Sequence, residues 1–259
     1  MKSVRWLAVA SAAILGSVAQ AHAGLNVFGP GISGNYSVTD GTSLWSLVGG
    51  VATSTPPGCD SKNAILRYYV VATNGAGGKS IFSLGEIDPA FGNPPAAPFI
   101  GVAGGAYSLV DPNAGASGRD LSNLTSLYVL AVPAAPTGAG GPSTAINLSG
   151  LVNNPGSYTL SNLTNNFTPA MTTVSGPNTF TGVPLWTFLD PNILSSITGQ
   201  IVDAVATDGY VVALSLAELD PALGGNPDNL LAYADTTGGS PGNGVARFVL
   251  ADDNRRGGP

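Results

Sequence analysis

The sequence predicts a β-rich α+β protein whose mature part consists of two similar domains. Short runs of β-branched and aromatic residues stop at turn dipeptides, which predicts strands joined in hairpins. Residues 83–92 recur as residues 215–224 with seven of ten positions identical, which predicts an internal duplication. Proline follows closely on the few helix-start signals, so any helices should be short.

The first 23 residues have the three regions of a signal peptide. Lys2 and Arg5 precede an uncharged apolar run of 14 residues, and Ala21 and Ala23 supply the small residues that a cleavage site requires. The run is shorter than the roughly 20 residues of a membrane-spanning helix. We therefore expect cleavage after Ala23 and a secreted or periplasmic protein without a membrane anchor; a retained anchor is the alternative.

Cleavage restricts the chemistry of the mature protein. His22 is the only histidine and leaves with the signal, which excludes histidine-dependent nucleophile pairs and histidine-ligated zinc or haem. Without Lys2 and Arg5, seven basic residues face 15 acidic ones, a net charge of −8. Such a surface repels phosphate backbones, so we expect no nucleic-acid partner. Cys59 is the only cysteine, so stability must come from packing and not from a disulfide.

The repeat sets the domain boundaries. Further matches keep the same order in both halves: Leu44-Trp45 with Leu185-Trp186, Val71-Ala72-Thr73 with Val205-Ala206-Thr207, Tyr107 with Tyr233, and residues 128–131 with residues 248–251. The Pro/Gly-rich residues 133–142 disfavour regular structure and separate the two halves. We therefore place a signal peptide at 1–23, a first domain at 24–132, a linker at 133–142 and a second domain at 143–259.

Local signals predict the elements within each half. Strands are predicted at residues 68–72 and 202–206, which end near Asn74-Gly75 and Asp208-Gly209, and at 210–214 and 248–251. The spacing of Ser215 and Glu218 is that of a capping box, and Pro221 limits the helix to little more than a turn. A second short helix is predicted after Pro184, with Leu185, Trp186 and Leu189 on its buried face.

The second half resembles the molybdopterin-binding domain of the sulfite oxidase family. The segments that carry the resemblance are, in order, residues 146–163 (opening strand and glycine turn), 181–189 (aromatic-containing turn and helix beneath the cofactor), and 231–233, 244–249 and 254–258 (final strands and glycine-rich loop). Through the repeat, the first half shares the resemblance more weakly. The resemblance implies the fold of that domain and molybdopterin as the cofactor.

The residues that the resemblance assigns to the site depart from the family pattern. Redox-active members hold molybdenum through the cofactor's dithiolene and a protein cysteine. Ser175 best matches that cysteine, and its hydroxyl cannot replace a thiolate; Cys59 does not match the position. The family also continues past its glycine-rich loop with a segment that covers the pterin, whereas this sequence ends at Pro259. The resemblance therefore implies either a truncated product or a site without that wall.

The basic residues near the end of the sequence are candidate phosphate ligands of the pterin. Guanidinium groups match phosphate geometry, so Arg247, Arg255 and Arg256 are candidate ligands of the phosphate, and the resemblance to the family's glycine-rich loop adds Gly257 and Gly258 to the cofactor site. A solvated basic end beside Asp252 and Asp253 is the alternative.

The repeated acidic pairs are further candidates. Glu86 with Asp88 and Glu218 with Asp220 are compatible with two-carboxylate catalysis or calcium binding. Their recurrence beside a proline in both halves favours a structural turn. Trp45 and Trp186 are expected in the core rather than stacked on a ligand.

The sequence leads to three hypotheses of function. The first, favoured by the missing thiolate, is an exported, non-catalytic relative of the molybdopterin domain that serves as a binding or structural module, with a pterin or a protein as its partner. The second is a periplasmic molybdopterin-dependent oxidoreductase. The third is an extracellular surface or matrix protein.

Overall fold

The computed structural model describes residues 24–53, 64–92, 96–113, 118–133, 139–150, 152–173, 178–189, 199–236 and 244–251. These residues form a β-rich α+β structure with short helices, as the sequence predicts. Within these ranges, none of the helices has both the length and the apolar character that crossing a membrane requires.

The first half forms one eight-stranded sheet. Its strands are β1 (Leu25–Gly29), β2 (Ile32–Tyr36), β3 (Thr42–Ser43), β4 (Tyr68–Asn74), β5 (Lys79–Ser83), β6 (Phe99–Ala103), β7 (Ala106–Val110) and β8 (Leu121–Ala131). Strand β8 is central: β4 pairs along one edge, while β7 and, in parallel, β1 share the other. The described residues of this half also contain helices α1 (Leu44–Val48) and α2 (Leu84–Ile87) and two 3-10 helices (Gly49–Thr53 and Ala64–Arg67).

The second half divides its strands among three smaller sheets. Strands β9 (Ile146–Leu148) and β10 (Gly156–Tyr158) form a hairpin, as do β13 (Ile201–Val205) and β14 (Val211–Ser215). The order β11-β12-β15-β16 joins Ala170–Thr173, Thr179–Pro184, Leu230–Asp235 and Arg247–Val249. Among the described residues of this half are helices α3 (Leu160–Asn166) and α4 (Leu216–Leu219) and two 3-10 helices (Leu185–Phe188 and Pro221–Leu223).

The predicted hairpins are present, with ends that differ by a residue or two. Strand β4 covers the run predicted at 68–72, and β13 covers residues 202–205 of the run predicted at 202–206. Asn74 closes the first turn by accepting the Gly78 N–H at 2.7 Å, and Asp208 closes the second by accepting the Tyr210 N–H at 2.9 Å. Short polar side chains that bond to nearby amides thus fix both turns.

The predicted helix starts are also present. Ser215 and Glu218 form the capping box at the start of α4, which ends at Leu219 before Pro221. The helix after Pro184 is a 3-10 helix, whose period of three places Leu185 and Phe188 on the buried face. The predicted burial of Trp186 was therefore wrong, because this residue is 44% exposed.

The two halves use the same strand pairing at their first matched element. The Leu44 N–H donates to the Pro98 carbonyl at 2.8 Å, and the Leu185 N–H donates to the Asn229 carbonyl at 2.8 Å. Strand β3 pairs with β6 just as the end of β12 pairs with β15. The match of Leu44 with Leu185 is therefore also a structural correspondence, and β6 corresponds to β15.

Three other sequence matches were wrong in register. Strand β16 pairs with β15 as β7 pairs with β6, so residues 247–249 correspond to β7 and not to residues 128–131 of β8. Tyr233 lies on β15 and therefore does not correspond to Tyr107 on β7. In the hairpins, Thr73 corresponds to Val205, two residues from the sequence match. Strings of Val, Ala and Leu align in several registers, and only the strand pairing distinguishes them.

The halves contact each other through their hairpins. Strand β14 lies against β4 and β5. Val132 at the end of the first half packs with Val211 and Ala213 of β14, and Tyr69 and Ile201 adjoin this cluster. The larger apolar cores lie within each half.

Candidate functional site

Arg247 is the one predicted cofactor residue within the described ranges. It lies on β16, partly buried, with its guanidinium carbon 4.9 Å from the centre of the Phe180 ring. This cation–π contact ties Arg247 to its own sheet. Ser175, Arg255, Arg256, Gly257 and Gly258, as well as Cys59, lie outside the described residues.

The repeated Ser-x-x-Glu strings meet at the contact between the halves. Ser83 caps α2 by accepting the Glu86 N–H at 3.0 Å, and Ser215 caps α4 by accepting the Glu218 N–H at 3.1 Å. Each serine hydroxyl also contacts the glutamate of the other half: Ser83 Oγ lies 3.0 Å from Glu218 Oε2, and Ser215 Oγ lies 3.1 Å from Glu86 Oε2. The exchange is reciprocal, and it joins the two halves through four side chains.

Arg119 supplies the positive charge of this cluster. Its guanidinium donates to both carboxylate oxygens of Glu86, lies 3.5 Å from Asp111 Oδ2 and donates to Ser215 Oγ at 3.2 Å. It also donates to the carbonyl of Ile81. The side chain is only 3% exposed. A buried charge of this kind is stable only when paired and hydrogen-bonded, and Glu86 and Asp111 supply the paired charges, although the Arg119 Nε has no hydrogen-bond partner among the described residues.

Glu218 has no comparable partner among the described residues. It accepts hydrogen bonds from Ser83 Oγ and from the Ser215 N–H, and no described cation lies within salt-bridge distance of it. Desolvation, and next the charge of Glu86, raise the pKa of Glu218 to about 8, although Ser83, Arg119 and Ser215 oppose the shift. The raised pKa favours the protonated form of Glu218, in which the side chain is a neutral polar group between the halves.

Asp111 borders the cluster behind Arg119. Burial raises the pKa of this carboxyl group, and the nearby guanidinium and the Asn113 amide partly offset the effect. Its backbone is held by Asp120, which accepts the Asp111 N–H at 2.7 Å. Asp111 thus shares Arg119 with Glu86.

The two repeated aspartates form turns. Asp88 Oδ1 accepts the Ala90 N–H at 2.8 Å, and Asp220 Oδ1 accepts the Ala222 N–H at 2.9 Å. Both contacts are of the kind that short acidic side chains make in turns. In the described part of the chain, no three His, Cys, Asp or Glu side chains are grouped so as to hold a metal.

A groove of about 390 Å³ lies between the halves near the start of β13. The outer face of the first sheet forms one wall through Tyr69, Val71, Tyr128 and Leu130, and Ile201 of β13 lies on the other side. Tyr128 and Leu130 are 37% and 43% exposed. The groove is therefore mainly apolar and aromatic.

Sequence reasoning identified both glutamates but missed the residues that hold them. Ser83, Ser215 and Arg119 carry the contacts between halves, and Arg119 lies outside every repeated string. Two signals were present: serine and glutamate recur at the same spacing in both halves, and arginine is scarce in this acidic chain.

Comparison of the chain with models of protein families, with curated proteins and with solved structures finds no match.

The free energy of unfolding of the wild-type protein should depend on pH through Glu218, and the Glu218→Gln variant should lose that dependence. Because the folded pKa of about 8 lies above the ordinary value of 4.5, the unfolded state releases its proton first as pH rises. The wild-type free energy of unfolding should therefore fall between about pH 4.5 and pH 8 and change no further above that range. Glutamine mimics the protonated carboxyl group, so the variant should match the wild type near pH 4 and exceed it by about 4 kcal/mol at pH 8. Urea unfolding across this range measures the difference. Free energies of unfolding that change equally with pH in both proteins would contradict the prediction.

Proposed function

We propose that the chain is an exported, non-catalytic protein of two related domains that serves as a binding or structural module. The observation that carries the proposal is the reciprocal contact of Ser83 and Ser215 with Glu218 and Glu86. The glutamates that the sequence offered as candidates for acid–base chemistry are used in this contact to join the two halves. General acids and bases must reach a substrate proton, and these carboxyl groups contact serines, Arg119 and the backbone instead.

The relation to the molybdopterin domain of the sulfite oxidase family is part of this proposal. The order of elements in the second half, with a short helix after β12 and strands β15 and β16 following, supports the resemblance. Arg247 is the one described arginine that the resemblance assigns to the pterin. Its cation–π contact with Phe180 supports a packing role for this side chain.

Protein expressed with its signal in a host that makes and inserts molybdopterin should purify without stoichiometric molybdenum. The metal needs a soft, correctly placed ligand, and the sequence has serine at position 175 where the family has cysteine. Elemental analysis and pterin fluorescence of the purified protein measure the outcome.

About one molybdenum per chain, lost in the Arg247→Met variant or in Arg255→Met/Arg256→Met, would overturn the proposal and favour the oxidoreductase. Pterin without metal would support a binding module. The Lys79→Met variant is the matched control, since it removes a positive charge from the first half.

A further inference from the structure

We propose that the two halves separate as pH rises, and that Glu218 is the group whose loss of a proton separates them. Each half keeps its own fold when the contact opens. The apolar faces that the halves cover in each other then become exposed to solvent. A binding or structural module would thereby have a surface that is covered in acid and uncovered toward neutral pH.

The halves are built so that they can come apart as units. The two larger apolar cores each draw on residues of one half only. Within the described ranges, no strand of one half pairs with a strand of the other. Their apolar contact is a small cluster of Tyr69, Val132, Ile201, Val211 and Ala213. Contacts between domains of one chain that are neither large nor strongly apolar permit relative motion.

The hydrogen bonds between the halves belong to one cluster of side chains. Ser83 Oγ donates to Glu218 Oε2 at 3.0 Å, and Ser215 Oγ donates to Glu86 Oε2 at 3.1 Å. The Arg119 guanidinium donates to Ser215 Oγ at 3.2 Å. Among the residues that the structure describes, no other side-chain or backbone hydrogen bond joins the halves. The protonation of this cluster therefore acts directly on the contact.

The cluster contains more carboxyl groups than cations. Arg119 lies against both Glu86 and Asp111, whereas Glu218 has no described cation within salt-bridge distance. A further negative charge beside Glu86 is unfavourable in a desolvated site, and desolvation together with that charge raises the pKa of Glu218 to about 8. When the halves separate, the Glu218 carboxyl group returns to water and releases its proton at an ordinary pH.

The surrounding elements carry further titratable groups. Apart from Glu86, Arg119 and Asp111, these are Arg67 of the 3-10 helix before β4, Tyr69 of β4, Lys79 of β5, Asp203 of β13, and Asp88 and Asp220 after α2 and α4. Burial raises the pKa of Asp203, so its ionisation acts in the same direction as that of Glu218. The Glu218→Gln variant removes the contribution of Glu218 and leaves that of Asp203 in place.

The equilibrium constant for opening should follow pH with the sign that the Glu218 carboxyl group dictates. Its pKa is about 8 in the closed contact and 4.5 at its ordinary value. The opening constant therefore rises between these two pH values and levels off above pH 8. From pH 5.5 to pH 7.5 the two pKa values give an increase of about 70-fold. The contact is thus closed most firmly in acid.

A cysteine placed in the contact tests the proposal. Val211 of β14 is buried and packs against Val132 of the other half, and Cys59 is the only native cysteine. Val211→Cys in a Cys59→Ser background therefore places a single thiol between the halves. Its labelling rate, divided by the rate in the urea-unfolded protein at the same pH, gives the opening constant and cancels the ionisation of the thiol itself.

We expect this ratio to rise about 70-fold from pH 5.5 to pH 7.5, and about fivefold or less when Glu218→Gln is added. Asp228→Asn is the matched control, because it removes an exposed carboxylate in the turn before β15 and should keep the full rise. Ala213→Cys, also buried on the same face of β14, repeats the measurement at a second position, so the result does not depend on how one cysteine packs.

Val183→Cys distinguishes separation of the halves from unfolding. Val183 is fully buried in the core of the second half, so its thiol reacts only when that half unfolds. At pH 7.5 the ratio for Val211→Cys should exceed that for Val183→Cys at least tenfold. Equal ratios at these two positions, no rise with pH at Val211→Cys, or the full rise with Glu218→Gln would overturn the proposal. The measurement involves no cofactor, so it and the molybdenum measurement can fail independently.

Discussion

Replacing Arg119 by methionine is expected to lower the free energy of unfolding at pH 7 by about 3 to 5 kcal/mol. The change leaves the Glu86 and Asp111 carboxylates, which are 16% and 3% exposed, without their cation. Removing one partner of a buried ion pair is costly because the remaining charge stays desolvated. Ser215 Oγ and the Ile81 carbonyl also lose a donor.

The loss in free energy of unfolding in Arg119→Met should depend on pH in a predictable direction. Burial raises the pKa of Asp111, and the Arg119 guanidinium opposes that shift, so removing Arg119 should raise this pKa further. The destabilisation should therefore be smallest below about pH 3, where the Asp111 carboxyl group is protonated in both the folded and the unfolded state, and should grow as pH rises toward 7. Urea unfolding at several pH values measures it.

A double variant supplies the control for this prediction. Glu86→Gln alone leaves Arg119 with Asp111 as its remaining anion, whereas Arg119→Met combined with Glu86→Gln removes both members of the pair. The double variant should lose less than the sum of the two single losses, because the residues are in direct contact. A loss below 1 kcal/mol for Arg119→Met, or strict additivity, would show that Arg119 and Glu86 do not form a stabilising pair.

The sequence allowed the local elements to be predicted but not their partners. Strands at 68–72 and 202–206, the capping box at Ser215 and the stop before Pro221 follow from interactions between residues close in the chain. The sheet partners of β8 and β16 depend on contacts between distant residues, so matching residues 128–131 to residues 248–251 failed. The repeated glutamates were visible as a pattern.

The role of Arg119 could not be read from its neighbours in the sequence. It is 33 residues from Glu86 and 96 from Ser215, and only the folded chain brings the three together. The predicted burial of Trp186 was wrong for a different reason. The prediction assumed an α-helix, whereas successive side chains of a 3-10 helix are a third of a turn apart.

Replacing Phe82 by alanine is expected to destabilise the protein by about 3 to 5 kcal/mol, the usual cost of removing a buried phenylalanine. The Phe82 side chain is fully buried, and the Arg119 guanidinium carbon lies 3.7 Å from the centre of its ring. The ring thus fills the core and also stabilises the cation of the cluster. Thermal and urea unfolding measure the total loss.

Phe82→Leu separates these two contributions. Leucine keeps most of the apolar volume but loses the cation–π contact, so we expect a loss of about 1 to 2 kcal/mol. The corresponding residue of the second half is Leu214, because Ser83 and Ser215 end their strands at the same place. Leu214 is equally buried but has no described arginine over it, so Leu214→Phe should bring no matching gain in the free energy of unfolding.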